Sequence, residues 1–237
     1  MIRLEGFAPR GAGGPYDLAL GPGQVLGIIG GDGGPGRAFL EAAAGSARHG
    51  GVVEVDGRRR SARDIAYAPD EPEQILFGRT GRDALRGAGA LAALGALGGE
   101  HLLERDFLEL SSGERRRLAL AAVIGSGRRL LLFDRPTAGL DPQGQQEFWS
   151  ALRGAGTCAI VAALDEAEAL RCDLLVALGG RGDAQPVVGS ILPTSLSARA
   201  GWPPSPLAQL AWALGVGADM DRLEQEVDAR CARERQG

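Results

Sequence analysis

Short runs of apolar residues alternate along the chain with longer segments in which apolar residues recur at helical spacing. Val25 to Ile29 is apolar throughout, ends in a cluster of glycines and is followed by a helical pattern from about Arg37 to Ala44. Five further runs have the same strand character: Val52 to Val55, Ile65 to Ala68, Leu130 to Phe133, Ala159 to Leu164 and Leu174 to Leu178. Runs that are apolar on both faces and linked by helices are typical of a parallel sheet covered by helices. The pattern therefore predicts an α/β fold with a mostly parallel sheet flanked by helices.

Three segments depart from this alternation. Ile2 to Phe7 and Tyr16 to Leu20, separated by glycines, predict antiparallel strands. Leu85 to Leu110 is rich in Ala, Leu and Gly at helical spacing, which predicts a helical insertion. After Ser190 a segment with Pro and Ser precedes two helical patterns. We therefore expect three parts: a core with an N-terminal β subdomain at 1–70 and 126–190, a helical subdomain at 71–125, and a small C-terminal helical extension at 191–237.

Composition narrows the class of protein. The 237 residues include 26 basic and 30 acidic side chains, for a net charge of −4, and 44% of them are hydrophobic. This composition supports a buried core, and its mild acidity differs from the clustered cationic surface that nucleic-acid binding requires. Because no apolar run approaches the roughly 20 residues of a membrane span and the amino-terminal segment lacks the apolar core of an export signal, we expect a cytoplasmic protein. The three cysteines and two histidines have no metal-ligand spacing.

The segment Ser111-Ser112-Gly113-Glu114 precedes a helical pattern. A Ser at a helix start with Glu three positions later forms a capping box, which satisfies backbone donors that otherwise lack partners. Gly113 also removes side-chain bulk from the helix start, which is typical of a phosphate site. The arginines that follow, Arg115 to Arg117, are expected to form a solvated face, as are Arg58 to Arg60.

A carboxylate, Asp134, ends the apolar run that begins at Leu130. By local structure alone Asp134 is a turn residue. Ligands of open α/β sheets bind at the carboxyl ends of strands, so Asp134 also stands where a magnesium-binding aspartate would lie.

With these motifs the chain resembles the ATP-binding subunits of ABC transporters. Leu110 to Glu114 is similar to the signature motif of that family, Leu131 to Asp134 to its Walker B strand, and Ala138 to Asp141 to its D-loop, in family order and spacing. The segment from Asp70 to Thr80 resembles the Q-loop region of energy-coupling-factor (ECF) importers, which take up vitamins and transition-metal ions. The resemblance covers Met1 to about Ser190. It implies a P-loop NTPase core, ATP and Mg as ligands with Asp134 on Mg, and a peripheral position on the cytoplasmic face of the cell membrane.

The glycine loop departs from the family pattern. In the family a lysine contacts the β- and γ-phosphates, and the next Ser or Thr offers its hydroxyl to magnesium. Here one alignment puts Arg37 and Ala38 at those two positions, while a gapless alignment puts Gly36 and Arg37 there. Neither supplies a lysine or a hydroxyl, and Pro35 removes one backbone N–H from the loop. We therefore expect these positions to form either a weak anion site or a strand-to-helix turn without a ligand. The nucleotide-binding positions are Gly31, Gly33, Gly34, Gly36, Arg37 and Ala38.

Three further positions lack the catalytic groups of the family. Arg135 stands where a glutamate polarises the attacking water, and a guanidinium does not accept a proton near neutral pH. Leu164 stands at the switch histidine, and Asp70 at the glutamine that opens the Q-loop. No aromatic residue occupies the adenine-stacking position near Pro9 to Gly11. No catalytic group of the family is therefore intact in this chain.

Asp70 and Arg135 carry a paired exchange of charge. In the family both positions face the magnesium and the attacked phosphate. We therefore expect the acid and the base to form an ion pair across the vacated site, which would partly neutralise the cavity and hold the two lobes together without ATP. The alternative is that Asp70 and Arg135 are unrelated substitutions, each exposed to solvent.

The retained motifs are those that serve a partner. Family members act as head-to-tail dimers in which each ATP lies between the glycine loop of one subunit and the signature helix and D-loop of the other. Five residues are expected to complete such a site in trans: Ser111, Ser112, Gly113, Glu114 and Asp141. The lysine, glutamate and histidine of that site would come from a second, catalytically intact ABC ATPase subunit in a heterodimer.

The predicted function is that of a degenerate cassette subunit in a heteromeric, ECF-type ABC importer. Its own hydrolytic site is expected to be impaired, and its Q-loop groove near Pro72 to Phe77 to dock a transmembrane coupling subunit. One alternative is an ordinary active ABC transporter ATPase, in which Arg37 replaces the lysine and a remote acid serves as base. The other is a regulatory or scaffold cassette that has left transport.

Overall fold

The computed structural model describes residues 1–29, 34–85, 87–162, 166–178 and 186–187. The predicted C-terminal extension at 191–237 lies outside the described residues, as do Gly31, Gly33 and Leu164.

Strands and helices alternate along the described chain much as the sequence predicts. The strands are β1 (Ile2–Pro9), β2 (Tyr16–Leu20), β3 (Val25–Ile29), β4 (His49–Val55), β5 (Arg58–Arg59), β6 (Ile65–Ala68), β7 (Leu130–Asp134), β8 (Cys158–Ala162), β9 (Leu174–Ala177) and β10 (Pro186–Val187). The helices are α1 (Gly34–Ala44), α2 (Gly81–Ala84), α3 (Ala88–Ala96), α4 (Ser112–Ile124), α5 (Pro142–Gly154) and α6 (Glu166–Ala169). Helix α1 begins three residues earlier than predicted, because proline is compatible with the first turn of a helix and Pro35 does not interrupt it.

The central sheet has the strand order β10-β9-β3-β8-β7-β6. The five strands from β9 to β6 run parallel, and β10 pairs antiparallel with β9. Every residue of β3, β7 and β8 is buried, as expected for strands covered on both faces. The predicted α/β fold with a mostly parallel sheet is confirmed.

A second sheet packs over α1. It has the order β2-β1-β4-β5, and its pairs are antiparallel, which confirms the prediction made from the opening segment. Phe39 of α1 contacts Phe7 and Tyr16 of this sheet edge to face, with ring centroids 5.1 and 5.4 Å apart. Helix α1 is thus buried between the two sheets, in one apolar cluster with Leu26 and Ile28 of β3.

The other face of the parallel sheet is covered by helices. The regular elements described between β6 and β7 are helices and short 3-10 turns, which agrees with the helical insertion predicted from the sequence. Phe133 of β7 contacts Phe148 of α5 at 5.3 Å, and the apolar residues of α3 and α4 join the same cluster. This packing places α4 against the sheet near the carboxyl ends of β6 and β7. Among the described residues, none of the helices combines the length and hydropathy needed to span a bilayer.

Gly89 lies where α3 closely approaches Gly125 at the end of α4. A Cβ at Gly89 would stand 2.5 Å from the carbonyl oxygen of Gly125, which is a backbone atom that does not move aside easily. We expect Gly89→Ala to lower the free energy of unfolding by about 1–3 kcal/mol in urea denaturation. Gly154→Ala is the control, since a Cβ there meets no atom within 4 Å, and we expect a change below about 0.5 kcal/mol. Equal effects of the two substitutions would contradict this packing.

Candidate functional site

The ends of β6 and β7 bring two charged residues together. These strands pair in parallel, with Ala68 opposite Phe133. Asp70 and Arg135 each follow two residues later, so the register places them opposite one another just beyond the sheet. Residues at this edge of an open α/β sheet line its ligand crevice.

Asp70 and Arg135 form a two-pronged ion pair. The Nε atom of Arg135 donates to Oδ1 of Asp70 at 3.0 Å, and Nη2 donates to Oδ2. Their side chains are 32% and 42% exposed, so the pair is partly shielded from water. The ion pair expected from the sequence is confirmed. The hydrogen bond from Arg135 to Asp70 is the main reason that the pKa of Arg135 is raised above its usual value.

Arg116 of α4 joins this pair to the helical part of the chain. Its Nη2 donates to the carbonyl oxygen of Asp70 at 2.7 Å, and its Nη1 donates to that of Arg135 at 3.1 Å. The sequence analysis placed Arg116 on a solvated face, and that prediction was wrong. The sequence carried no signal for this contact, because both acceptors lie in segments distant from Arg116 along the chain.

Asp134 lies beside the pair but is buried, with 3% of its surface exposed. Burial, and then the negative charge of Asp70, raise the pKa of Asp134 to about 6. The hydroxyl of Tyr67 is also buried here, and it has no hydrogen-bond partner among the described residues. Burial and the charge of Asp134 raise the pKa of Tyr67 as well, so its phenol remains protonated near neutral pH.

These residues do not fit a bound magnesium ion. Asp134 is the one carboxylate in the expected position, and Asp70 is engaged by Arg135, whose positive charge lies in the same place. Neither Gly36 nor Arg37 nor Ala38 offers a hydroxyl at the start of α1. Across the described ranges, no group of three His, Cys, Asp or Glu side chains is arranged to hold a metal.

The start of α1 presents little that would hold a phosphate. Arg37 is 58% exposed, and its Nε donates to Oε1 of Glu41 one turn later at 2.8 Å. Gly36 is buried, and a Cβ there would stand 3.3 Å from Cβ of Ala162. Gly34 is exposed and Ala38 half-buried. The nucleotide-binding role of these residues stays a prediction.

The start of α4 has the predicted capping box. The Ser111 hydroxyl accepts from the backbone N–H of Glu114 at 3.2 Å, and the Glu114 carboxylate accepts from the N–H of Ser111 at 2.8 Å. Arg105 donates to the other carboxylate oxygen at 2.6 Å. These bonds lower the pKa of Glu114, chiefly the one from the Ser111 N–H, and Arg105 offsets its negative charge.

The capping box leaves two backbone N–H groups of this helix start without a partner among the described residues. Within the part of the chain that the structure describes, the backbone N–H groups of Ser112 and Gly113 have no hydrogen-bond acceptor. Ser112 and Gly113 line a cavity of about 300 Å³ between α4, the Asp70–Arg135 pair and the Ala138–Gly139 turn, with Glu71 and Glu73 also on its wall. Free N–H groups at a helix start, together with the helix dipole, favour an anion.

Asp141 caps α5. Its Oδ1 accepts from the N–H of Gly144 at 2.9 Å and from Nη2 of Arg117 at 3.2 Å, while 64% of its side chain is exposed. Arg117 also bonds Glu147 of α5, so it ties α4 to α5. The sequence analysis missed this role because it placed Arg117 on a solvated face.

Comparison with known proteins agrees with this architecture. The family model for ABC transporters matches residues 14–138. The hemin import ATP-binding protein HmuV of Myxococcus xanthus is 36% identical over 164 residues, which cover 56% of this chain and 61% of HmuV. The energy-coupling factor transporter ATP-binding protein EcfA2 of Lactiplantibacillus plantarum is 42% identical over 95 residues, which cover 39% of this chain and 30% of EcfA2. The chain thus spans less than two thirds of either relative.

A solved structure has the same fold. The structure of cbiO1 from Clostridium perfringens, part of the ABC transporter complex cbiONQ, superposes with a TM-score of 0.68 at 20% identity. The match covers 90% of this chain and 95% of that one. It confirms the P-loop NTPase fold class predicted from the sequence.

The raised pKa of Asp134 predicts a pH-dependent stability. A carboxyl whose pKa is higher in the folded chain than in the unfolded chain stabilises the fold below about pH 4 and loses that contribution as the pH rises through about 6. Asp134→Asn is uncharged at every pH, so we expect its free energy of unfolding at about pH 7.5 to exceed that of the parent by about 1–3 kcal/mol.

Urea unfolding across this pH range measures the difference, which should shrink towards about pH 4. Glu104→Gln removes an exposed carboxylate and should show no comparable trend. A constant difference at all pH values would contradict the burial of an ionisable Asp134.

Proposed function

This chain belongs to the ABC transporter family, and we propose that it is a degenerate ATP-binding-cassette subunit of a heteromeric importer. In this proposal its signature helix and D-loop complete the ATP site of a catalytically intact partner cassette. The observation that carries it is a contrast between two places on the same surface. An ion pair fills the catalytic positions of this chain, while the start of α4 keeps free phosphate-binding N–H groups.

Hydrolysis at the chain's own site lacks a base. The attacking water must give up a proton, and Arg135 at the base position holds its own proton all the more firmly beside Asp70. The Asp70 carboxylate accepts two hydrogen bonds from that same guanidinium, so it is not free to replace the missing glutamate. The site residues also do not fit magnesium, so this site lacks both the base and the metal that hydrolysis requires.

The start of α4 offers donors to the partner's nucleotide. The Ser111 hydroxyl is engaged within the cap, where it accepts from the N–H of Glu114 and bonds the Glu114 carboxylate. The N–H groups of Ser112 and Gly113 supply two donors, and Arg105 offsets the charge of Glu114 that would otherwise repel phosphate. Donors aimed at the transferred phosphoryl group stabilise the charge it carries in the transition state.

The turn that carries Asp141 is also expected to contact the partner cassette. Hydrogen bonds from Gly144 and Arg117 fix one oxygen of Asp141. The other oxygen has no donor within the described ranges, and most of the side chain faces solvent. Asp141 can therefore accept a hydrogen bond from a partner subunit without losing its role as a cap.

Two exposed apolar side chains support docking to a membrane subunit. Phe77 and Leu108 are 79% and 87% exposed, and both belong to the helical part of the chain. Phe77 belongs to the Q-loop segment expected to dock the membrane subunit, so its exposed ring is available for that contact. The names of the relatives favour an importer, and the Q-loop segment favours the ECF type. The chain would then lie at the cytoplasmic face of the membrane as a peripheral subunit, with ATP and Mg bound at the partner's site.

Mixing experiments test whether this chain lacks hydrolysis of its own and completes the ATP site of a partner. The purified chain alone should release phosphate from Mg·ATP at the background rate, because it has no base. Adding the cognate cassette with intact lysine, glutamate and histidine should produce turnover. Gly113→Glu places a like charge at the donor site, and a Cβ there fits, since it lies 3.6 Å from the nearest atom outside the helix. We expect kcat of the mixture to fall on the order of 100-fold.

Gly154→Glu is the matched control, because it adds the same charge at an unpacked glycine on α5 and should leave the turnover of the mixture unchanged. Robust turnover by the purified chain alone would instead identify it as an ordinary active ATPase. Turnover of the mixture that is indifferent to Gly113→Glu would remove the role of the signature helix.

A further inference from the structure

We propose that Arg116 is a positioning residue, which together with Asp70 and Arg135 forms a brace that fixes the signature helix without nucleotide. We call these three residues the brace. The brace adds a positioning role to the proposed function. Only its effect on the partner's ATP rests on that function. In the family pattern the positions of Asp70 and Arg135 face magnesium and the attacked phosphate, so a ligand occupies the space between them. Here side chains fill that space.

The first half of the brace joins two neighbouring strands. Parallel register carries Asp70 and Arg135 to opposite positions beyond β6 and β7. Both prongs of the Arg135 guanidinium then meet both oxygens of Asp70. A planar fork on a planar carboxylate permits little rotation, so this pair restricts the angle between the two strand ends as well as their separation.

The second half joins those strand ends to α4. Arg116 lies in the second turn of α4, and its two terminal nitrogens reach the backbone carbonyls of Asp70 and Arg135 at 2.7 and 3.1 Å. One rigid guanidinium therefore spans both strand ends at once. Because the acceptors are backbone oxygens of two different strand ends, a movement of α4 that exceeds the reach of the side chain breaks both bonds.

The backbone of Arg135 shows how firmly this place is held. Arg135 has a φ of +47°, in the left-handed region that side-chain-bearing residues rarely adopt. Its N–H donates to the carbonyl of Ala162 at 3.2 Å, and its own carbonyl accepts from the N–H of Ala138 at 3.2 Å as well as from Arg116. The brace therefore rests on a turn that three hydrogen bonds keep in one conformation.

The brace and the free N–H groups lie at the same end of α4. Ser112 and Gly113 begin α4, and Arg116 lies one turn further on. Ser112, Gly113 and the three brace residues line the same cavity. Fixing Arg116 therefore fixes the direction of the N–H groups offered to the partner's phosphate. Orientation errors of about 1 Å at such a site reduce rates on the order of 100-fold.

Distance measurements on the full isolated chain test the brace directly. Nitroxide labels at Leu108→Cys and Arg59→Cys report the position of the helical part against the antiparallel sheet, and both native side chains are exposed. Cys158 and Cys172 are buried, and burial raises the pKa of both thiols, so they label poorly. Cys231 is replaced by serine. We expect one narrow distance distribution that Mg·ATP does not shift.

Variants of the brace should loosen the helix. We expect Arg116→Gln and Arg135→Gln each to broaden the distribution. Arg116→Lys should broaden it as well, because an ammonium lacks the planar fork. The exchange Asp70→Arg with Arg135→Asp restores opposite charges and should restore the narrow distribution. Arg82→Gln breaks an ion pair with Glu104 inside the helical part and is the control expected to change nothing.

Several results would overturn the brace. They are a parent distribution that shifts with Mg·ATP, a narrow distribution in Arg116→Gln, and a charge exchange that stays as broad as the single variants. Circular dichroism of each variant excludes unfolding as the cause of broadening.

Turnover separates the brace from the proposed function. In the mixture with the partner cassette, Arg116→Gln should lower kcat on the order of 10- to 100-fold with little change in KM, because orientation rather than binding is lost. Unchanged kcat in a turning-over mixture would remove the positioning role. A mixture that shows no turnover at all, with the label distances as expected, would defeat the proposed function and leave the brace standing.

Discussion

Much of this structure depends on the parallel register of two neighbouring strands. Because β6 and β7 end side by side, the residues that follow them must share a small space at the edge of the sheet. An acid and a base in that space bind each other and form one wall of the cavity in front of α4. The pair also creates the surface on which Arg116 of α4 rests. A sheet edge that normally receives a ligand has become part of the packing between the sheet and its covering helices.

The electrostatics of the site follow from this pair. Asp70 and Arg135 largely neutralise each other, which leaves Asp134 buried beside them without a cation of its own at hydrogen-bond distance among the described residues. Burial, and then the charge of Asp70, raise the pKa of Asp134. A magnesium ion would meet the Arg135 guanidinium before it met a second free carboxylate. The ion pair thus explains both why the site at the ends of β6 and β7 lacks a base and why it does not suit a metal ion.

Phosphate binding at the start of α4, the signature helix, places fewer demands on the sequence than catalysis does. This difference explains how the chain keeps the start of α4 while it lacks the catalytic side chains. A general base must be a particular side chain with a suitable pKa, so a single substitution to Arg135 removes it. A helix start binds phosphate largely through backbone N–H groups, which survive almost any sequence that still caps the helix. The Ser111–Glu114 box supplies that cap, and Arg105 offsets the charge that the box introduces.

The sequence by itself determined the two sheets, the helical segment between β6 and β7, the cap of α4 and the opposition of Asp70 and Arg135. These features follow from local patterns: apolar runs, spacing of three or four residues, and motifs in a fixed order. Only the tertiary structure decided where the arginines of α4 point. Arg115, Arg116 and Arg117 look alike as a charged run, yet Arg116 reaches two strand ends and Arg117 reaches α5. A long flexible side chain takes its direction from the acceptors around it, and those acceptors come from segments distant in sequence, so no local pattern specifies them.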